Sequence, residues 1–109
     1  MTFKFYMFIL ILLFISAKSH ASGGTGSGLI DNIYVNNGWT MVHVPSITNN
    51  PDNCPSVSYF AIRPSDANYL TLHSTLLAAF MAGEPVRFWL NGCSGQNNNH
   101  PKIVSVWVY

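Results

Sequence analysis

A helical apolar period occurs once in this sequence, with strand-like segments on both sides of it. Over residues 68–82, Tyr69, Leu72, Leu76 and Phe80 recur at helical spacing. Ser65 and Asp66 offer the N-cap oxygen, and Gly83 followed by Pro85 closes the helix. Before it, residues 29–35 and 39–44 are rich in β-branched and aromatic side chains. Asn36-Asn37-Gly38 between them predicts a hairpin, because Asn and Gly both accept positive φ. Residues 57–63 make a third strand, after a loop over 45–55 crowded with Pro, Asn and Asp. After the helix, residues 86–90 alternate, with Val86, Phe88 and Leu90 on one face and Arg87 and Trp89 on the other. A polar loop over 91–101 then leads to a last strand over 103–109. The order β-β-β-α-β-β predicts a mainly-β chain with one helix, arranged as a small OB-fold-like barrel. A helix laid on a mixed sheet is the alternative.

The first residues read "MTFKFYMFILILLFISAKSHAS". Lys4 precedes an apolar run over 5–15, too short for the roughly 20 residues a membrane span needs. Ser19 and Ala21 then supply small residues at a cut site. The pattern predicts a signal peptide over 1–21, a flexible Gly/Ser leader over 22–28 and one domain over 29–109. An uncleaved anchor is the weaker reading, since Ser16, Lys18, Ser19 and His20 follow the run at once. The expected location is secreted or periplasmic, after cleavage near Ala21–Ser22, with no membrane span in the mature form. What remains carries Arg63, Arg87 and Lys102 against Asp31, Asp52, Asp66 and Glu84. That is near-neutral and has no basic patch, so nucleic acid is not an expected partner.

Both cysteines, Cys54 and Cys93, fall in the mature part. An even count in an exported chain points to pairing. In the chain-entropy model, closing residues 54–93 into a loop is worth about 4 kcal/mol. A catalytic thiol or a metal site are the rival readings. His43, His73 and His100 are scattered without ligand spacing, so no metal and no cofactor are expected.

Two surfaces exceed what one small core can use. Residues 68–83 carry no Lys, Arg, Asp or Glu, and Leu70, Leu77, Ala78 and Met81 lie round the side opposite Leu72, Leu76, Ala79 and Phe80. A helix apolar all round is normally covered all round. Two readings stand: a deeply packed helix with Met81 as gap filler, or a helix shared with neighbouring subunits. The last strand is apolar on both faces, with Val104, Val106 and Val108 on one and Ile103, Trp107 and Tyr109 on the other. Trp89 and Trp107 share the outer side if the last two strands pair in register. Leu70, Leu77, Met81, Trp107 and Tyr109 are therefore candidate oligomer contacts. A second small core under the loop 45–55 would account for the same residues.

The stretch "YFAIRPSDANYLTLHSTLLAAFMAGEPVRFWLNGC", residues 59–93, resembles B subunits of bacterial A/B-type toxins of the subtilase-cytotoxin, typhoid-toxin and pertussis-toxin group. The likeness rests on a strand, a capped helix with Leu76, Leu77 and Ala79, then Gly83, Val86-Arg87 and an alternating strand. The resemblance implies an OB-fold subunit, a five-membered ring with helices facing its pore, glycan recognition on the outer barrel and a toxin A-type partner. A stand-alone exported relative is the other form it admits. It carries over no individual binding residue.

The leading expectation is therefore a non-enzymatic binding module, homo-oligomeric, that recognises a glycan or a host surface. Sugar sites pair an aromatic face with planar amides and hydroxyls. The candidate parts are Trp39, Trp89 and Trp107 with Gln96, Asn97, Asn98, Asn99 and His100. For these residues the plainer readings are core packing and simple solvation. The alternative function is a periplasmic or secreted assembly or inhibitor protein that acts through protein contacts. An enzyme is not expected, because the titratable groups form no motif. Asp31 and His43 could meet across the hairpin, and a surface pair is the default for them.

Overall fold

The structure is a computed structural model and describes residues 21–109. Of the expected signal peptide over 1–21, residues 1–20 lie outside the described residues. The elements are β1 (Gly23–Gly28), β2 (Asn32–Asn36), β3 (Trp39–His43), β4 (Phe60–Ile62), α1 (Tyr69–Ala82), β5 (Val86–Ser94) and β6 (His100–Val108), with a 3₁₀ turn at Gln96–Asn98. The chain is mainly β with one helix. It has six strands rather than the expected five.

The sheet order is β1-β5-β6-β4-β3-β2, with β4 and β6 parallel and every other neighbouring pair antiparallel. The two ends of that order, β1 and β2, are consecutive in the chain and only residues 29–31 separate them. A connection so short brings the sheet's two edges together, so the sheet curls into a small barrel-like shape. The hairpin between β2 and β3 forms at Asn37 (φ 53) and Gly38 (φ 81), the pair of positive φ values that a type I′ turn requires.

The core lies inside this curl. Val42, Val44, Phe60, Ile62, Leu76, Val86, Phe88, Leu90 and Ile103 are essentially inaccessible to solvent. The rings of Phe60 and Phe88 meet across it with centroids 5.4 Å apart. Leu72, Leu76 and Ala79 bury one stripe of α1 against it. The helix is also tied to the hairpin by polar contacts. Thr40 Oγ1, fully buried, shares hydrogen bonds with His73 Nδ1 (2.7 Å) and Tyr69 Oη (3.1 Å). The Tyr69 hydroxyl in turn donates to the Gly38 carbonyl at 2.7 Å. A buried hydroxyl is tolerated only when partnered, and Thr40 is.

Four expectations need correction. Residues 22–28 are not a flexible leader, because β1 ladders to β5 through the backbone, which glycine and serine supply as well as any residue. Thr25 is the one buried side chain there, and its Oγ1 accepts from the Phe88 N–H at 3.0 Å. Neither Ser65 nor Asp66 caps the helix. Asn68 holds the cap position in a left-handed conformation (φ 62) with no side-chain cap bond. The Asp66 carboxylate instead accepts from the Arg63 N–H at 2.7 Å and the Ser94 hydroxyl at 2.6 Å. The polar loop 91–101 is shorter than expected, because β5 runs on to Ser94 and β6 starts at His100. Finally, Ile103 does not share a face with Trp107. A register shift between the pairs Trp89↔Ser105 and Leu90↔Ile103 inserts one extra residue into β6, which turns Ile103 into the core.

The disulfide forms as expected. Cys54 and Cys93 are bonded, with Cα atoms 5.8 Å apart and a separation of 39 positions along the chain. It ties the loop before β4 to the far end of β5. Replacing both cysteines by alanine is expected to lower unfolding stability by about 4 kcal/mol, read from the denaturant midpoint at constant m. A loss below about 1 kcal/mol would mean that other contacts already hold these segments together.

Candidate functional site

Strand register assembles an exposed aromatic face outside β2, β3 and β4. The antiparallel pairs Asn32↔His43 and Tyr34↔Met41 place these four residues on one side of the sheet. Met41 faces Ala61 on β4. Ala61 in turn pairs with Lys102 on the parallel strand β6. Tyr59 and His100 each stand two residues before that last pair, so the period of two brings both to the same outer side. The rings do meet. Tyr34 and Tyr59 lie edge-to-face with centroids 5.0 Å apart, Tyr59 and His43 are 5.7 Å apart, and Tyr59 and His100 are 6.2 Å apart. Tyr59 is the hub of the cluster.

Polar groups rim the rings. Nδ1 of His43 donates to the Asp31 carboxylate at 2.5 Å, the meeting across the hairpin that the sequence allows. The Asn32 side-chain amide donates to the Tyr59 hydroxyl at 3.4 Å. The hydroxyls of Ser56 and Ser58 are 2.7 Å apart. Beneath, Met41 and Ala61 are fully buried although they lie on the outer side of the sheet. Gly95 covers them. Its φ is +76, and a Cβ there would lie 2.7 Å from the Ala61 Cβ and 3.0 Å from the Met41 sulfur, so only glycine allows the approach. Met41 and Ala61 thus form a small buried patch under the turn at Gly95, while Ile47 of the loop 45–55 joins the main core.

That approach lays the turn Gln96–Asn98 beside the aromatic face. Gln96, Asn97 and Asn98 are exposed, while Asn99 and His100 are half-buried. The Asn99 carbonyl accepts from the Ser56 N–H at 2.8 Å, which stitches the turn to the segment before Tyr59. The disulfide frames the whole. Tyr59 follows Cys54 by five residues and His100 follows Cys93 by seven, so one covalent bond sets the separation of the two segments. The Asn50 side chain braces the bond from behind, with its amide donating to the Cys54 carbonyl and its carbonyl accepting the Cys54 N–H, both at 2.8 Å.

The expected site residues divide between places. The amide-rich turn and His100 join the aromatic face. Trp89 and Trp107 lie on a different surface, outside β5 and β6, each about two-fifths exposed. Trp39 stands opposite Asn36 at the hairpin, half-buried. Leu70, Leu77, Met81, Trp107 and Tyr109 are all solvent-exposed, with Leu70 and Met81 each 76% exposed. A shallow apolar groove runs between α1 and the end of β6, lined by Ser74, Ala78, Ala82 and Val108. The residues sequence reasoning missed are Tyr34 and Tyr59. Both lie in strand-like runs, and no local signal marks them, since only the β2-β3-β4 register brings them together.

Among the described residues no group of three or more His, Cys, Asp or Glu could hold a metal ion, and no helix is long and apolar enough to cross a membrane. Both cysteines are in the disulfide, so neither offers a thiol. The arrangement offers flat rings, imidazoles, amides and hydroxyls on an open surface, the equipment of non-covalent recognition. No family model, no curated protein and no solved structure matches this chain.

Burial pushes the His100 imidazole below the usual histidine range, and a hydrogen bond with the Tyr59 backbone opposes this less strongly. The folded state therefore resists protonation more than the unfolded chain does. Its stability is intact above the unfolded value of about 6.5 and declines as pH falls from there toward the folded value. Melting temperatures between pH 8 and pH 5 should fall on acidification, with a shallower fall in His100→Gln. Identical slopes in the two proteins would assign the effect to other groups.

Proposed function

We propose that this protein is an exported binding module that recognises a glycan through the aromatic face of Tyr34, Tyr59, His43 and His100. The observation that carries the reading is the convergence of two tyrosines and two histidines on one open face, anchored through Cys54–Cys93 and rimmed by Asp31, Asn32, Ser56 and Ser58. Sugar rings present C–H faces to aromatic rings and hydroxyls to amides, carboxylates and other hydroxyls. A face that mixes both in one patch, with Tyr34, His43 and His100 on strands and Tyr59 just before β4, is suited to them. The strand order, with β4 parallel to β6 and the helix between β4 and β5, supports the OB-fold reading. The disulfide fits an oxidising compartment, consistent with export.

A glycan array probed with the purified protein is expected to return a defined set of hits. Tyr59→Ala should weaken them by about tenfold or more while leaving the circular dichroism spectrum unchanged. Silence across the array, together with a protein that co-purifies stoichiometrically, would instead favour the assembly or inhibitor role.

The same reading includes self-association. Leu70, Leu77 and Met81 stand exposed on an uncharged helix beside an apolar groove, an arrangement that association of copies would cover. The solution mass should be a multiple of the chain mass, and Leu77→Asp should reduce it. A strict monomer at all concentrations would remove this part of the proposal.

A further inference from the structure

The outer surface of β1, β5 and β6 is built around one uncompensated cation. Arg87 on β5 stands opposite Trp107 on β6 and Ser27 on β1. One step along the same strand face, Trp89 stands opposite Ser105 and Gly24. The three strands carry no Asp or Glu. The acids elsewhere are engaged or lie apart. Asp31 pairs with His43, Asp66 accepts from the Arg63 N–H and the Ser94 hydroxyl, and Asp52 accepts from the Gly92 N–H. Glu84 lines the groove beside α1. Among the described residues no carboxylate comes within ion-pair distance of Arg87, and no group accepts a hydrogen bond from its guanidinium.

The guanidinium is nevertheless held in place. Its carbon lies 4.4 Å from the Trp107 ring centroid. Such a contact uses the flat face of the guanidinium and leaves its N–H edge for hydrogen bonding. On that edge Nε is covered by protein without an acceptor, while the two terminal nitrogens stay accessible and unbonded among the described residues. A positioned charge with an open pair of donors suits a carboxylate bound in bidentate fashion. The surroundings select what carries that carboxylate. Trp89 is 41% exposed, and its ring lies over Gly24, where a Cβ would come within 3.3 Å of Cε3 and Cζ3. Two residues along a strand set Arg87 and Trp89 roughly 7 Å apart, within the span of one pyranose ring and its exocyclic carboxylate. Ser27 and Ser105 border the pair, and among the described residues their hydroxyls have no partner.

We infer that this face, apart from the Tyr59 face, is a second ligand site and takes a hexuronic acid. The sugar's carboxylate accepts from the terminal nitrogens of Arg87, which Trp107 holds in position. Its C–H face lies on the Trp89 indole, and its hydroxyls reach Ser27 and Ser105. The inference rests on reading the protein as a carbohydrate binder, but not on the Tyr59 face. A neutral sugar would cover the indole and leave the cation without a counter-charge. A bare anion would meet the cation and leave the indole open to water.

The test is a titration of the ¹⁵N-labelled protein with glucuronate and galacturonate, with methyl glucoside and acetate as controls. At least one uronate is expected to shift the Arg87 Nε–H and the Trp89 and Trp107 indole N–H signals saturably. It should bind more tightly than either control by about tenfold or more. Its affinity should fall as salt is added, because the anchor is a charge at the surface. Arg87→Gln should weaken uronate binding to the level of methyl glucoside. Arg87→Lys, which keeps the charge but not the fork, should recover only part of it. Tyr59→Ala should leave it unchanged. Methyl glucoside or acetate binding as tightly as the uronates would overturn the proposal, as would full uronate affinity in Arg87→Gln. Shifts that follow protein concentration rather than sugar would mean that a second copy seats there, which also overturns it. If the uronates leave this face still while the Tyr59 face responds to a glycan, the second site is refuted and the Tyr59 reading stands. If a uronate binds here and the Tyr59 face never responds, the second site is upheld and the Tyr59 reading fails. Should Arg87→Gln fail to fold, the wild-type comparison of uronate, glucoside and acetate decides alone.

Discussion

The bond between Cys54 and Cys93 is the constraint on which the rest of the surface depends. Residues 45–59 contain no helix or strand and are held by few regular backbone bonds, so they have little reason of their own to adopt one course. Bonding Cys54 to the end of β5 fixes where this segment lies when it turns into β4. Tyr59 arrives at its position from that side. From the other side Cys93 leads through Gly95, seated on Met41 and Ala61, to His100 at the start of β6. The parallel pair Ala61↔Lys102 then aligns the two segments side by side. One covalent link and one register pair together set the Tyr59–His100 spacing.

The interior places a second demand on the same elements. Core residues on β5 and β6 must face inward, and the bulge in β6 is what makes this compatible with an aromatic outer face. Without the extra residue, Ile103 would fall on the side of Trp107 and leave a gap beside Leu90. With it, Ile103 fills the core and Trp107 stays outside, stacked on Arg87. The outward chemistry of the strand is thus bought with a local irregularity in its ladder.

The helix, the hairpin turn and the inward alternation of β5 were legible because each rests on local physics. A 3.6-residue period, an Asn-Gly pair and a two-residue alternation are all written within a few positions. The disulfide was legible from the even cysteine count and the expected compartment. What could not be read is non-local. β1 is stable because β5 supplies its ladder and Phe88 N–H finds Thr25, so nothing in "GGTGSG" itself distinguishes a strand from a tether. The bulge depends on a one-residue slip that leaves the composition of β6 untouched. The site was half legible. The amide turn and His100 were visible as a polar cluster, whereas Tyr34 and Tyr59, 25 positions apart, meet only because β3 stands between β2 and β4. The helix cap failed for a related reason. Asp66 has a better use, since its carboxylate is aimed at the Arg63 N–H and the buried Ser94 hydroxyl and so joins the helix approach to the end of β5.

That use of Asp66 shows how the two halves of the molecule are kept from moving independently. Ser94 is fully buried and sits one residue beyond Cys93, just before Gly95. Its hydroxyl, if unpaired, would carry a desolvation penalty of roughly 1–3 kcal/mol. Pairing it with Asp66 removes the penalty and makes the position of the amide turn depend on the start of α1. The helix is anchored a second time through Tyr69, His73 and Thr40, at the hairpin that carries Tyr34 on its other side. Both polar links run from the N-terminal part of α1 or the segment just before it, where Leu70 is also exposed. The helix and its approach are therefore tied to β3 and to the end of β5 by polar bonds as well as through the apolar core.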